Sequence, residues 1–198
     1  MALAYESAEV GGPLRQGEVL GPIVHHQAVF PPRRMPAGTG VAVRSTVFDL
    51  VVVLSPDCDL TWDHDMRFLD FWDDDENVIV HPNEHTRGID QVLMCRLHNY
   101  GEIRPRFHNQ GDVWGRVVGN QDERYHHLDG APVAESPGFY LHPLFIDFKK
   151  ATSMPTGELY DGVLSGDIER VALLPAYYIH DLIHRFYGFL SRVALPDL

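Results

Sequence analysis

The chain is poor in cysteine and lacks any long apolar run. Its 198 residues contain two cysteines, Cys58 and Cys95. No apolar stretch approaches the roughly 18 residues needed to span a bilayer. The stretch from Met1 to Glu9 is polar and acidic, without the apolar segment of a secretion signal. We therefore expect a cytoplasmic protein with reduced thiols and without a membrane partner.

Several motifs of common enzyme classes are also missing. The sequence has no G-x-x-x-x-G-K-[ST] loop, no G-x-G-x-x-G after a strand and no G-x-S-x-G elbow. These absences argue against P-loop nucleotide hydrolysis, Rossmann dehydrogenases and α/β-hydrolases. None of these three classes explains the chain.

Basic residues are scarce. The chain has 16 Lys and Arg against 28 Asp and Glu, which gives a formal net charge of -12. Such a surface repels a phosphate backbone unless basic residues are concentrated in one place. The small clusters Arg33-Arg34 and Arg104 with Arg106 do not provide that concentration, so we do not expect binding of free nucleic acid. The 12 histidines make the net charge sensitive to pH.

Short elements and turns dominate the pattern, because 17 glycines and 14 prolines interrupt the chain. We predict one domain over 1–198, with a loose segment 1–13, a mainly β region 14–174 and a C-terminal helix 175–195. The fold class is α+β: a bent antiparallel sheet or small β-barrel with the amphipathic helix packed on it. The predicted strands include Val47–Ser55, Gln91–His98, V-W-G-R-V-V (Val113–Val118), Arg124–Leu128 and Ile168–Leu174. Leu159–Asp167 is predicted as a turn-rich bridge.

The C-terminal helix has the clearest pattern. After Pro175, apolar residues recur at helical spacing and form one stripe, and Asp181 with Arg185 fits an i,i+4 ion pair. The stripe consists of Ile179, Leu182, Ile183, Phe186, Leu190 and Val193. His180 and His184 also share a face and resemble two ligands of a zincin helix, although a solvated polar face explains them more simply.

A buried strand that ends in ionisable groups is the first candidate site. The run V-V-V-L is continuous rather than alternating, so both of its faces should be covered. It is followed by Ser55-Pro56 and then by Asp57, Cys58 and Asp59, the catalytic candidates. Flanking carboxylates disfavour a reactive thiolate at Cys58. A cation site is one interpretation of these three residues, and a structural turn is the other.

Two further sets of residues are candidates. Cys58 and His64 followed by Cys95 and His98 supply four side chains that can bind zinc, although Cys95 and His98 would face opposite sides of a regular strand. Otherwise no cofactor is expected. The acidic stretch 63–77 fits either a short helix or a loop, and its interleaved aromatic residues suggest a protein-binding surface. The binding candidates are Phe68, Phe71, Trp72, Asp73, Asp74 and Asp75.

Three segments carry a resemblance. They are R-Q-G-E-V-L (Arg15–Leu20), V-V-V-L-S-P-D-C-D-L (Val51–Leu60) and H-R-F-Y-G-F-L-S-R-V-A-L-P (His184–Pro196). Together they resemble a set of uncharacterised bacterial proteins with a "qGdv…vvlSqdCDl…RfxxflsRvxlP" layout, often linked to mobile elements or phage defence. The opening segment is also weakly similar to PemK/MazF-type small barrels, with Glu18 where that family has Asp.

These observations favour an accessory or interaction protein of a multiprotein bacterial system, which the resemblance places in phage defence. Such a protein would have a protein partner. One alternative is a metal-dependent hydrolase or nuclease that uses Asp57, Cys58 and Asp59 together with His64. A third is a MazF-like toxin ribonuclease.

Overall fold

The computed structural model describes residues 4–7, 11–29, 42–68, 88–134, 136 and 138–192. Within these residues, the strands are β1 (Glu18–Gly21), β2 (Ile23–Val29), β3 (Ala42–Phe48), β4 (Val51–Val53), β5 (Gln91–Asn99), β6 (Tyr125–Leu128), β7 (Ala131–Pro132), β8 (Tyr140–Leu141), β9 (Leu144–Pro155) and β10 (Glu169–Leu173). The helices are α1 (Asp57–Phe68), α2 (Tyr100–Ile103), α3 (Gly111–Val118), α4 (Thr156–Ser165) and α5 (Ala176–Ser191). A short 3-10 helix, Arg104–Phe107, follows α2. None of the helices in this described part is long and apolar enough to cross a membrane.

One antiparallel sheet organises the fold. Six strands pair in the order β10-β1-β4-β5-β9-β6. The sheet curls into a half-barrel, and the C-terminal helix α5 packs on it. The predicted α+β class, with a bent antiparallel sheet under a C-terminal helix, is therefore confirmed.

The central strand β4 is buried on both faces. Val52 joins an apolar cluster that includes Phe186 of α5. Val51 and Val53 join a second cluster that includes Leu60 of α1. This confirms the prediction from the continuous apolar run, since a strand with a layer on each face has no polar side to alternate with.

Two local predictions are wrong. V-W-G-R-V-V is the helix α3 rather than a strand. Val113 and Val117 are four residues apart and share a helix face, which packs with Trp114 against the cluster containing Phe145. The predicted turn-rich bridge is mostly helix α4, whose apolar face packs on the second cluster. Gly166, with φ of 81°, ends α4 in the left-handed conformation that glycine favours.

The helix α5 confirms the predicted C-terminal element, with two corrections. Leu182 and Phe186 are buried as the stripe predicts, but Leu190 is 44% exposed and Phe189 packs on the core in its place. Arg185 does not form the expected pair with Asp181. Its guanidinium donates to backbone carbonyls of the 120–125 loop instead, and so fastens that loop to α5. Residues 193–195 of the predicted helix lie outside the described residues.

The N-terminal residues that the structure describes, 4–7, are held against the sheet rather than loose. Tyr5 is 1% exposed, and its backbone bridges to Val133. The Tyr5 hydroxyl donates to the carbonyl of Asp129. Buried aromatic surface and paired backbone groups give this segment a fixed position.

Strands β2 and β3 form a separate two-stranded antiparallel ribbon, which we call the arm. Every second residue of β3 points to the same face of the arm, and on one face these residues are Phe48, Thr46 and Arg44. On that same face, His25 lies opposite Thr46 and Gln27 lies opposite Arg44. Most of the arm's side chains are exposed, so its two faces can differ in chemistry.

Candidate functional site

The structure places Asp57, Cys58 and Asp59 in the first turn of α1, not in a turn that follows the strand. Asp57 is already engaged: its Oδ1 accepts from the backbone N–H of Gln16 at 2.6 Å, and the Arg15 guanidinium binds both carboxylate oxygens at 3.2 Å. Carboxylates in the first turn also suit the helix dipole. Asp57 therefore begins α1 and ties it to the loop before β1.

The four predicted zinc ligands lie in different environments. Cys58 is exposed at the start of α1, whereas Cys95 is buried in the core beneath α5, and burial raises the pKa of its thiol to about 12. His64 contacts the carbonyl of Gly11, and His98 lies beside Glu102. No group of three or more His, Cys, Asp or Glu side chains suited to a metal ion occurs among the described residues. The structure does not bring this set together.

Two of the other candidates, His180 and His184, line a cleft of about 490 Å³ together with Asp57, whose carboxylate is held there by Arg15 and Gln16. His180 and His184 are exposed on α5 with parallel rings 6.4 Å apart, as expected of a solvated polar face. Phe68 is 43% exposed at the end of α1. The remaining predicted binding residues, Phe71, Trp72, Asp73, Asp74 and Asp75, lie outside the described residues.

A groove beside α1 has few groups that are free to bind a ligand. It encloses about 700 Å³ between α1 and α4 and is lined mainly by apolar and aromatic side chains. The positive charge of Arg170 in its wall is taken by Glu18 and by the carbonyls of Gly12 and Pro13.

A second pocket, of about 390 Å³, opens between the arm and strands β5 and β9, and we call it the cationic pocket. Its volume is typical of small-molecule sites. Four cationic side chains and two histidines line it, and none of these described lining residues is acidic. The lining residues are His25, Gln27, Thr46, Phe48, Arg96, His98, Arg106, Lys149, Lys150, Ala151 and Thr152.

A bulge in β9 supplies two of these cations, Lys149 and Lys150, which are the only lysines in the sequence. Cys95 and Leu97 of β5 are two residues apart, whereas the β9 residues with which they pair are five residues apart. Adjacent residues of a regular strand point to opposite faces, but in this bulge both lysines line the pocket. The irregular strand thus gathers charge that a regular strand would divide.

Asp147 fixes the base of the bulge. This carboxylate is fully buried and accepts from Arg124 at 2.7 and 2.6 Å and from Arg106 at 3.4 Å. Its Oδ1 also accepts from the backbone N–H of Lys149 at 3.2 Å. A buried carboxylate with several donors is strongly held, so the lysine pair begins from a rigid anchor.

The two arginines of the pocket already have anionic partners. Arg106 contacts Asp147, and Arg96 donates to Glu102. By contrast, no carboxylate in the described part of the chain pairs with the Lys149 or Lys150 side chain. The lysines are therefore the uncompensated positive charges of the pocket.

His98 adds a buried polar group to the wall. It is 4% exposed, and neither ring nitrogen has a hydrogen-bond partner among the described groups, although Glu102 Oε2 lies 3.6 Å from Nδ1. Burial and the positive charge of Arg96 lower the pKa of His98, against the opposing effect of Glu102. A neutral imidazole can offer one donor and one acceptor to a ligand.

Rings form the arm side of the pocket. His25 stacks on Phe48 with ring centroids 5.2 Å apart, and the Arg96 guanidinium lies 5.5 Å from the centroid of Phe48. The His25 ring is fixed further by a 2.7 Å hydrogen bond between its Nε2 and the Thr152 hydroxyl. Burial and the neighbouring His26 lower the pKa of His25.

Sequence reasoning missed this site. The adjacent Lys149-Lys150 pair was visible and unusual, because the chain has no other lysine. The convergence was not visible, since it depends on the register of the arm and on the bulge in β9. The pocket is chemically suited to an anion: it offers free ammonium groups, hydroxyl and amide groups, and a buried imidazole.

Comparison with known proteins gives no relative to transfer a role from. No protein-family model matches the chain, and a search of curated proteins finds no match. The functional argument therefore rests on the pocket itself.

Proposed function

We propose that the protein binds a phosphate-bearing ligand in the cationic pocket. The observation that carries this proposal is that both lysines of a chain of net charge -12 line one pocket, where no carboxylate of the described residues pairs with either of them. Grouping like charges costs free energy unless an anion compensates them. A phosphate group offers the charge and the acceptor oxygens that these side chains match.

Titration calorimetry with pyrophosphate at low salt tests the proposal. Lys149→Gln and Lys150→Gln should each weaken binding by roughly tenfold, because each removes a charge-assisted hydrogen bond. Arg116→Gln is the matched control: Arg116 is exposed on α3, outside the pocket, and its loss removes the same charge. The proposal fails if pyrophosphate does not bind, or if the control weakens binding as much as the lysine variants.

A role as an interaction protein of a multiprotein system, as in phage defence, is our second proposal. It is favoured by Trp62 and Phe68 on α1, which are 50% and 43% exposed, since aromatic side chains often anchor interfaces. Light scattering with the products of neighbouring genes tests it. Phe68→Ala should reduce complex formation, whereas Tyr177→Ala, which removes a ring that is 78% exposed on α5, should not.

The enzymatic alternatives have less support. Asp57 is held by Arg15 and Gln16, which leaves it poorly placed to bind a catalytic metal. A MazF-like ribonuclease stays a prediction from the opening segment alone. Incubation of the protein with RNA, with and without added divalent metal, tests both, and cleavage in either condition would revive the corresponding alternative.

A further inference from the structure

The positive charge of the cationic pocket continues along the arm. Arg44 is exposed and lies on the arm face that carries Thr46 and Phe48, two residues further from the pocket than Thr46. Adjacent residues of one strand face are about 7 Å apart, so Arg44 lies roughly 13 Å along β3 from Phe48. No carboxylate in the described part of the chain pairs with Arg44. The free cations thus form a track, from Lys149 and Lys150 to Arg44.

Planar rings and hydrogen-bonding groups accompany this track. The stacked rings of His25 and Phe48 lie at its pocket end. Gln27 lies directly opposite Arg44, and Thr46 directly opposite His25. Cations that follow a backbone are a feature with which proteins hold single-stranded nucleic acid. The His25 and Phe48 rings, which stack on each other with Arg96 over Phe48, form the wall beside these cations.

We propose that the phosphate-bearing ligand is a single-stranded nucleic acid, which enters the cationic pocket and follows the arm to Arg44. This inference rests on the proposed function and extends it by a second subsite. The track is long enough for two or three successive phosphates, which a small phosphate ester cannot span. The pocket holds about 390 Å³, and a flexible single strand can bend into such a concave site at less cost than a stiff duplex.

The acidic character of the whole chain does not oppose this placement. The expectation against nucleic acid applies to scattered basic residues, whereas the fold gathers five of the 16 along one track: Arg44, Arg96, Arg106, Lys149 and Lys150. Exposed charges more than about 8 to 10 Å away are largely screened at physiological salt. The local potential therefore follows the three of these side chains that have no anionic partner among the described residues, Arg44, Lys149 and Lys150, because Arg96 and Arg106 are paired with Glu102 and Asp147.

The test measures binding of fluorescent single strands of about 12 nucleotides, one of deoxythymidine and one of uridine, by anisotropy. Either strand should bind at least roughly tenfold more tightly than a duplex of equal length. The two strands distinguish DNA from RNA as the source. Polyglutamate of similar charge is the comparison polyanion, and equal binding of polyglutamate or duplex would overturn the inference.

Arg44→Gln separates this inference from the proposed function. It should weaken strand binding about fivefold at low salt and leave pyrophosphate affinity unchanged within about twofold, because Arg44 does not line the pocket that pyrophosphate occupies. Arg116→Gln again serves as the control for net charge. If Arg44→Gln leaves strand affinity unchanged while pyrophosphate still binds, the extended track is wrong and the phosphate pocket stands. If pyrophosphate fails to bind, the proposed function itself is lost.

The salt dependence of strand binding tests the contact between Arg44 and a phosphate independently. The slope of log affinity against log salt concentration is about -0.7 for each phosphate neutralised on a single strand. Arg44→Gln should therefore make the slope shallower by about 0.7. An unchanged slope would mean that Arg44 contacts no phosphate and would overturn its part in the track.

Discussion

At the scale of single residues, the buried histidine His126 links the structure to the pH dependence of stability. His126 is 1% exposed and packs on Phe148, with no hydrogen-bond partner for either ring nitrogen among the described groups. Burial and the positive charge of Arg185 lower the pKa of His126 to about 3. The nearest carboxylate oxygen, on Asp181, is 3.9 Å away. His126 is therefore neutral in the folded protein at neutral pH.

The depressed pKa of His126 predicts a loss of stability in mild acid. The unfolded chain takes up a proton at His126 near pH 6.5, while the folded chain resists it, so stability falls as pH drops below about 6.5 towards 3. Between about pH 7 and pH 5 the loss from this residue should be about 2 kcal/mol. Urea unfolding at both pH values measures it.

The matched variants are His126→Leu and His108→Gln. His126→Leu should flatten the pH dependence by most of that amount, whatever its effect on stability at neutral pH. His108 is exposed, and its replacement should leave the dependence unchanged. An identical slope in His126→Leu and the parent protein would show that another group causes the loss.

At the scale of elements, the packing of α5 against the loop before β1 requires glycine at one backbone position. Gly17 has φ of +81°, and a Cβ there would lie 2.5 Å from Ile179 Cγ1 of α5. Its N–H donates to Val53 and its carbonyl accepts from Leu174, so the loop joins the central strand to the start of α5. The approach of helix and loop leaves no space for a methyl group.

Gly17→Ala should lower the free energy of unfolding by about 2 to 4 kcal/mol, because left-handed strain and overpacking add. Gly188→Ala is the control within α5. A Cβ at Gly188 meets nothing within 4 Å, so this change should stabilise by up to about 1 kcal/mol through helix propensity. Chemical denaturation of both variants measures the contrast, and equal effects would contradict the packing argument.

The elements of the pocket show how an irregularity creates chemistry. A regular β9 would send Lys149 and Lys150 to opposite faces, whereas the bulge held by Asp147 turns both to the pocket. The arm forms the opposite wall of the pocket with side chains that alternate along its strands and so share one face. Neither element alone forms a binding site, since the lysines need the opposing wall.

At the scale of the whole molecule, net charge and local charge have opposite signs. A net charge of -12 destabilises the folded state by self-repulsion, while the cationic pocket attracts anions. Salt screens both effects. Added salt should therefore stabilise the folded protein and weaken the binding of anions in the cationic pocket.

We predict that raising NaCl from about 0.02 M to about 0.2 M increases the thermal midpoint of the free protein by a few degrees and weakens pyrophosphate binding severalfold. Differential scanning fluorimetry and calorimetry measure the two effects on one preparation. In the Lys149→Gln, Lys150→Gln double variant the gain in thermal midpoint should persist. A midpoint that falls with salt in the free protein would contradict the repulsion argument.

Local pattern predicted some elements and missed others for identifiable reasons. Strands β5, β6 and β10 and helix α5 have runs that fit one period. In α3, the run V-W-G-R-V-V suggested a strand, although Val113 and Val117 also share a helix face. In α4, glycines suggested turns, and the left-handed Gly166 that ends the helix was not recognised as a stop signal. Short segments that fit two periods are decided by what they pack against.

The α+β class, the doubly buried central strand and the amphipathic C-terminal helix could be predicted without a structure, because each follows from the spacing of apolar residues along a few turns or strand positions. Tertiary structure alone decided the candidate site. Asp57 became the beginning of a helix, and Arg96, Arg106 and the two lysines came to line one pocket. The physical reason is that charges far apart in sequence line one surface only when strand register and a bulge turn their side chains to the same face.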